Sequence, residues 1–314
     1  MAGLDAFMEA TRARVGPLAD PWLVALPRVL SELTERWELE LAGDPDPDVA
    51  VRYAVDATRS GNVPVQLRLA YPDGWFTDEV TALAAWGGDG AVELIDHDPV
   101  GGMLVERPEP GGALSAVNDD DWAEAVASVA ERLWRADGAG SGVGGGGVGG
   151  AVVSLADEAM SWATSMPARH HEVGRPFERA LVQESVSLLR ELAPAQTERV
   201  LLHGDLRTAN IRGARRRPWL AVEPRPLAGE RAFDVAATLR GDPEVLATDP
   251  DDGRARLQRR FELLCDRLDL NRQTARHWAV AAATDDALWA FGSGHVDAGE
   301  TKVVVARLLR ELSL

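Results

Sequence analysis

Asp205, Asn210 and Glu223 are the residues of this 314-residue chain whose types and spacing could do chemistry together. They lie in HGDLRTANIRGARRRPWLAVEPRP, residues 203–226, with the amide five positions after the first carboxylate and the second carboxylate thirteen after the amide. Hard oxygen donors with no Cys or His partner suit Mg²⁺. A loop carboxylate beside such a metal can take the proton of a hydroxyl. The set therefore suits a nucleotide triphosphate held with Mg²⁺ next to an acceptor hydroxyl.

The flanking pattern supplies the elements that must position them. Val200-Leu201-Leu202 is a short apolar run ending in His203-Gly204-Asp205, a buried strand edge opening into a loop. Ile211 resumes the apolar run, residues 213–218 make a basic turn, and Trp219-Leu220-Ala221-Val222 reads as a second strand with Glu223 at its far end. Loop Asp and Asn residues more often shape turns than do chemistry, and an H-G-D triplet arises by chance. Three positions on one strand–loop–strand frame favour the functional reading. The same order occurs in protein kinases, where the first Asp accepts the substrate's hydroxyl proton and the Asn and second carboxylate hold the metals.

HGDLRTAN resembles the H-G-D-x-x-x-x-N motif of the aminoglycoside phosphotransferases. EPRPLAGE (223–230) followed by Ala232-Phe233-Asp234 is similar to the D-P-K-P-x-x-G-D/E…A-F-D segment of the streptomycin 6-phosphotransferase and hydroxyurea phosphotransferase branch. Further upstream, WGGDGAVEL (86–94), MLVER (103–107) and the stretch from Trp22 to Trp37 resemble that branch too, so the likeness spans roughly residues 15–312. It implies ATP and Mg²⁺ as cofactors and Asp205 as the catalytic residue, with Asn210 and Glu223 as metal ligands. It also implies that Asp234 braces the catalytic loop and that the C-terminal helices line the acceptor pocket.

Three positions depart from that pattern. Lys302 is the only lysine, so the family's phosphate-contacting lysine falls on Arg68, with its salt-bridge partner retained as Glu79. Arginine supplies the charge as a larger planar fork and not as a compact ammonium. The metal-binding Asp of the family is Glu223 here, and the loop His is Arg207. Taken together these leave a second reading open: a kinase-like protein that binds a nucleotide or small molecule without transferring phosphate.

The whole chain sets bounds on both readings. At 314 residues it can bury a sizeable core and form two subdomains. Net charge is −17 with no compensating basic stripe, so nucleic acid is not an expected partner. An acidic surface suits a cationic small-molecule hydroxyl substrate such as an aminoglycoside, although acidity also simply keeps a protein soluble. No apolar run reaches the roughly 18 residues of a membrane span, no secretory signal is visible, and Cys265 stands alone. A cytoplasmic protein away from membranes is expected. Oligomeric state is not legible, nor is a choice between antibiotic resistance and secondary metabolism.

Along the chain, Asp20-Pro21 opens an amphipathic helix whose face carries Trp22, Leu26, Val29, Leu30, Leu33 and Trp37. Residues 38–71 alternate as strands, clearest at Val49–Val55 and Val63–Leu69. Thr77 reads as the cap of a helix bearing Glu79, Val80, Leu83 and Trp86. If Leu67 and Leu69 face one side of their strand, Arg68 faces the other, within reach of Glu79; an ordinary surface ion pair is the plainer account. Strands near 91–95 and 102–106 lead into Pro108-Glu109-Pro110-Gly111-Gly112, read as an interlobe hinge where backbone groups of Glu106 and Arg107 could meet an adenine.

Beyond it the chain reads as helical, with nine glycines in residues 138–150 forming a flexible loop by composition. Helices are expected from Trp122 to Leu133, from Pro176 to Leu192, over 251–268 and 272–291, and at the C-terminus. Asp285, Asp286 and Trp289 share one of these and are candidates to bind a cationic substrate, against the plainer account of a solvated acidic face. The histidines lack zinc spacing, and Cys265 has no base at hand for nucleophilic catalysis. The expected fold is α+β and protein-kinase-like, with two lobes: a small antiparallel-sheet lobe over 1–107 that binds nucleotide, and a helical catalytic and substrate lobe over 108–314. The leading function is ATP-dependent transfer of the γ-phosphate to a hydroxyl of an aminoglycoside or related metabolite.

Overall fold

The computed structural model describes residues 2–43, 52–71, 75–99, 101–114, 118–136, 152–241 and 250–314. The glycine-rich stretch 138–150 lies outside them, as do residues 49–51 of the run read as a strand from Val49. Two helices, α1 (Ala2–Val15) and α2 (Asp20–Arg36), precede a five-stranded antiparallel sheet. Its strands are β1 (Leu39–Ala42), β2 (Arg52–Arg59), β3 (Val63–Ala70), β4 (Leu94–Asp98) and β5 (Gly102–Glu106), in the order β1-β2-β3-β5-β4.

Strand alternation divides this sheet between two cores. Tyr53, Val55, Val65, Leu67 and Leu69 join Phe7, Leu23, Leu26 and Leu33 of α1 and α2 in one cluster. Met103 and Val105 of β5 face the other way and meet Ala82, Leu83 and Trp86 of α3 (Trp75–Trp86) in the main core. Arg68 lies on this second face, as the alternation predicts. Helix α3 begins before Thr77, so Thr77 is inside the first turn and not its cap.

The rest of the described chain is mainly helical, as expected: α4 (Asp119–Arg135), α5 (Leu155–Glu172), α6 (Arg179–Ala195), α7 (Ala232–Leu239), α8 (Pro250–Leu268), α9 (Arg272–Gly292) and α10 (Val296–Arg310). Asn271 caps α9, its Oδ1 accepting from the Thr274 amide at 2.9 Å. Helix α6 starts three residues beyond Pro176, after Arg175 in the left-handed region, and α1 and α5 were not anticipated. Two small antiparallel sheets carry the motif. One joins β7 (Val200–Leu202) to β10 (Leu227–Gly229); the other orders β6 (Pro110–Ala113), β8 (Ile211–Ala214) and β9 (Trp219–Ala221) as β6-β8-β9. Among the described residues no helix is long and apolar enough to cross a membrane.

Candidate active site

The loop after β7 is held from below by one buried carboxylate. Asp234, in the first turn of α7, has no exposed surface and accepts from the His203 amide (3.0 Å), the Gly204 amide (2.8 Å) and the Trp134 indole (2.9 Å). It braces the loop by accepting from donors far away in sequence. Gly204 has φ +77°, and a Cβ there would sit 1.8 Å from the Arg225 carbonyl oxygen, so only glycine fits the turn. Thr238 adds a second tie from α7, donating to the Leu206 carbonyl at 2.6 Å.

His203 is fully buried against Trp86, its ring stacked at 6.2 Å between centroids. Its Nδ1 accepts from the Asp205 amide (3.3 Å), so Nε2 carries the proton donated to the Val222 carbonyl (3.1 Å). Burial pushes the His203 pKa down against the nearby carboxylates, in keeping with this neutral form. The ring therefore joins the strand before Glu223 to the loop carrying Asp205, and ligates nothing.

Those bonds bring the three motif residues together. Asn210 Nδ2 donates to the Asp205 carbonyl (2.9 Å) and to its Oδ2 (3.1 Å), and the Asn210 carbonyl accepts from the Val222 amide (2.9 Å). Arg207 Nη2 also lies 3.0 Å from Asp205 Oδ2. Glu223 follows Val222 with φ +56°, a conformation that turns the chain sharply at the end of the hairpin. Burial would raise its pKa, but the guanidiniums of Arg68, Arg52, Arg207 and Arg212 outweigh burial and hold it below the ordinary carboxylate value.

Arg68 and Glu79 are paired as the sequence suggests, with Arg68 Nη1 donating to Glu79 Oε1 at 2.9 Å. The pair is not a surface one: the side chains are 3% and 1% exposed. Sequence reasoning missed the second cation, Arg52, whose Nη2 stands 3.0 Å from Glu79 Oε2. Its only local signal was the even spacing that puts Arg52 and Ala54 on one face of β2.

The Glu106 amide donates to the Glu93 carbonyl (2.9 Å) and the Arg107 amide to the Pro64 carbonyl (3.3 Å), so neither N–H is available to a base. The Glu106 carboxylate is gripped by Arg216 from the basic turn after β8, which also bonds the Gly88 and Ala91 carbonyls at 2.6 and 3.2 Å. Arg107 pairs with Glu109 at 3.0 Å.

Asp285 and Asp286 form neither a solvated face nor an unpartnered cation trap. Arg169 Nη1 meets Asp285 Oδ1 at 2.6 Å, and Arg240 Nε meets Asp286 Oδ2 at 2.7 Å with Lys302 Nζ at 3.9 Å. Burial, with Asp286 beside it, outweighs Arg169 and pushes the Asp285 pKa up to about 6. For Asp286 burial is overcome by Arg240 and Lys302, and its pKa is lowered. Trp289, one turn along α9 and half exposed, borders a cavity of about 270 Å³ shared with Arg169, Glu172, Val173, Leu288, Gly292 and Ser293.

The geometry thus combines a loop carboxylate, an amide turned onto it, a second carboxylate kept ionised by arginines, and a buried Arg–Glu–Arg cluster. Known proteins share the arrangement's framework. Residues 54–294 match the family model described as aminoglycoside/hydroxyurea antibiotic resistance kinase. The chain is 31% identical over 307 residues to the streptomycin 6-kinase of Streptomyces griseus, covering 97% of this chain and 96% of that protein. It is 30% identical over 295 residues to the hydroxyurea phosphotransferase of Kitasatospora aureofaciens, covering 94% and 82%. In fold it is similar to aminoglycoside phosphotransferase APH(4)-Ia (TM-score 0.59, 16% identity, 90% and 97% covered). The choline kinase LicA of Streptococcus pneumoniae is similar to the same degree (TM-score 0.59, 13% identity, 90% and 99% covered). The kinase-like fold expected from the motif is therefore the fold of this chain.

Proposed function

The chain belongs to the aminoglycoside/hydroxyurea antibiotic resistance kinase family and is an ATP-dependent small-molecule phosphotransferase, and from that premise we propose what each residue of the site does and which acceptor it serves. Asp205 is the catalytic residue. Its Oδ2 is engaged by Asn210 and Arg207, which fixes the carboxylate and turns Oδ1 toward the acceptor hydroxyl as proton acceptor. Positioning and charge neutralisation carry most of a phosphoryl transfer, so the site needs few groups.

Mg²⁺ suits the oxygen donors present. Because Nδ2 of Asn210 faces Asp205, its Oδ1 is the hard donor left, and the arginine cluster keeps Glu223 ionised. Two protein ligands completed by phosphate oxygens are the usual way an enzyme holds this ion. When bound it would neutralise charge on the transferred phosphoryl. Arg68, fixed by Glu79, contacts the α/β-phosphates. At the hinge, Pro64 has no N–H to return to Arg107, so the Arg107 carbonyl is not answered from β3 and is the acceptor offered to an adenine amino group. Glu106 closes that edge, and we place the lobe boundary at residues 107–108.

The acceptor we propose is a hydroxyl of a cationic aminoglycoside of the streptomycin type or a related metabolite, housed beside Trp289 and Asp285. Partial neutralisation of Asp285 and Asp286 by Arg169 and Arg240 leaves this end of the site less acidic than the sequence implies, so recognition rests on Trp289 and Glu172 as well. The role is antibiotic inactivation or a tailoring step of secondary metabolism in the cytoplasm.

One observation carries the site assignment: Asp205, Asn210 and Val222–Glu223 are tied to one another by hydrogen bonds of 2.9–3.1 Å. Calorimetric titration with ATP, with and without Mg²⁺, tests the nucleotide half. Asp205→Ala tests the other, with an expected loss of about 10²–10⁴-fold in transfer to streptomycin. Undiminished transfer by Asp205→Ala would overturn the assignment.

A further inference from the structure

We infer that Arg216 is a positioning residue of the nucleotide site, holding the sheet that carries Arg68 in register with the hairpin that carries Asn210 and Glu223; the inference rests on the phosphotransferase reading above. Hairpin β8–β9 is a short, fully paired unit. Ile211 stands opposite Ala221, Arg212 opposite Leu220 and Gly213 opposite Trp219, so Asn210 and Glu223 lie at its open end and Arg216 in its turn. The Val222 amide, donating to the Asn210 carbonyl at 2.9 Å, closes the open end.

In the turn one guanidinium joins three segments. Its Nε and Nη2 donate to the two carboxylate oxygens of Glu106 at 3.2 and 2.7 Å, while Nη1 donates to the Gly88 carbonyl at 2.6 Å and Nη2 also to that of Ala91 at 3.2 Å. A two-point fork on a carboxylate fixes direction as well as distance. An exposed ion pair alone would do little. Here Arg216 is 36% and Glu106 21% exposed, and the two carbonyls make the pair part of a network.

Glu106 leads from this network to Arg68. It is the last residue of β5 and stands opposite Val65 of β3, and three positions along the same ladder Met103 stands opposite Arg68. Its Oε2 also accepts from the Glu93 amide at 3.1 Å. The loop after α3 has other holds on the helical part of the chain: Trp86 donates to the Leu133 carbonyl at 3.1 Å, Arg132 meets Asp89 at 3.0 Å, and the Ala221 amide donates to the Gly90 carbonyl at 2.8 Å. For Glu106, among the described residues, the hydrogen-bond partner from beyond the hinge is Arg216.

A ligand that spans the cleft depends on this register. In the reading above its base lies at the hinge, its phosphates at Arg68 and its metal at Asn210 and Glu223, so its contacts come from both sides at once. Arg216 sets their spacing before the ligand arrives, and binding then does not carry the entropy of ordering the two sides.

The test uses the full chain, wild type and Arg216→Ala, titrated calorimetrically with Mg·ATP and with adenosine, which reaches only the hinge. The expected result is an affinity for Mg·ATP weaker by about tenfold, the lower end for charge-assisted hydrogen bonds because the pair is partly exposed. Adenosine affinity stays within about twofold of wild type. Unchanged Mg·ATP affinity refutes the inference and leaves the kinase reading intact, as does an equal loss for adenosine, which marks local damage to the hinge. Absence of any Mg·ATP binding by the wild type removes both. A double-mutant cycle with Glu106→Gln decides where adenosine binds too weakly to titrate: Arg216→Ala must lose most of its effect on Mg·ATP in the Glu106→Gln background, and full additivity refutes the coupling. Should Arg216→Ala not fold, Arg216→Lys, which keeps the charge without the fork, takes its place under the same criteria.

Discussion

Replacing Asp234 by Asn changes one atom of a fully buried side chain and tests whether the catalytic loop is held as described. The carboxylate accepts three N–H groups, from His203, Gly204 and Trp134, at 2.8–3.0 Å. An amide offers one oxygen and one N–H₂. With its oxygen at the Oδ2 position it still serves His203 and Trp134, but its nitrogen then confronts the Gly204 N–H. An unsatisfied buried donor costs about 1–3 kcal/mol, and two bonds lose charge assistance of about 1 kcal/mol each. The sum is about 3–5 kcal/mol, or roughly 5–8 °C in Tm for a chain of this size. Denaturant unfolding reads the stability. Steady-state kinetics at a temperature where Asp234→Asn stays folded reads the loop, with kcat falling well before KM for ATP. A Tm within about 1 °C of wild type and unaltered kcat would show that the loop does not depend on Asp234.

Gly204→Ala should be at least as damaging, because its Cβ would have to stand 1.8 Å from backbone oxygen and φ is +77°; we expect no measurable phosphate transfer and a lower Tm, and full activity would contradict the turn described. Asp285 makes stability depend on pH. Its pKa rises from an ordinary 3.8 to about 6 in the folded chain, so the native state holds a proton that the unfolded chain has released. That contribution is complete below about pH 4 and is lost as pH rises through 6. Asp285→Asn cannot ionise, so its stability relative to wild type should climb between pH 4 and 6 by at most about 3 kcal/mol and then level off. A difference independent of pH across that window, in denaturant titrations, contradicts the burial argument.

Much of the site could be read from the chain because its determinants are local. Leu67-Arg68-Leu69 specifies by alternation which face Arg68 takes, and Asn271 with Thr274 specifies where α9 starts. His203 to Glu223 encloses its own strand, loop and hairpin. What could not be read depends on partners far away in sequence. Arg169 neutralises Asp285 across 116 residues and Arg216 grips Glu106 across 110. Neither pairing has a periodicity that would announce it. Helix α5 escaped notice for a different reason: much of its buried side is small, Ala159 and Ala163 beside Leu155 and Met166, and Pro167 interrupts it. At the hinge, that the Glu106 and Arg107 amides are engaged could not be read either, because hydrogen bonding of β5 continues one residue past the strand, onto the Pro64 carbonyl.

The three departures from the family motif make sense as one change in charge distribution. A lysine at position 68 would present three donors at a point, whereas Arg68 gives Nε to Gln66 and Nη1 to Glu79 and is anchored in a fixed fork. Glu223, one methylene longer than the family's Asp, then sits among four guanidiniums and keeps its proton off despite burial. Arg207 in place of the loop His brings one of the four, and that same side chain grips Asp205 at 3.0 Å. Restoring a single family residue should therefore unbalance the site. Arg68→Lys keeps the charge but removes the Nε donor that holds Gln66 and replaces a planar fork by a point charge, while Arg52 and Arg207 remain placed for an arginine.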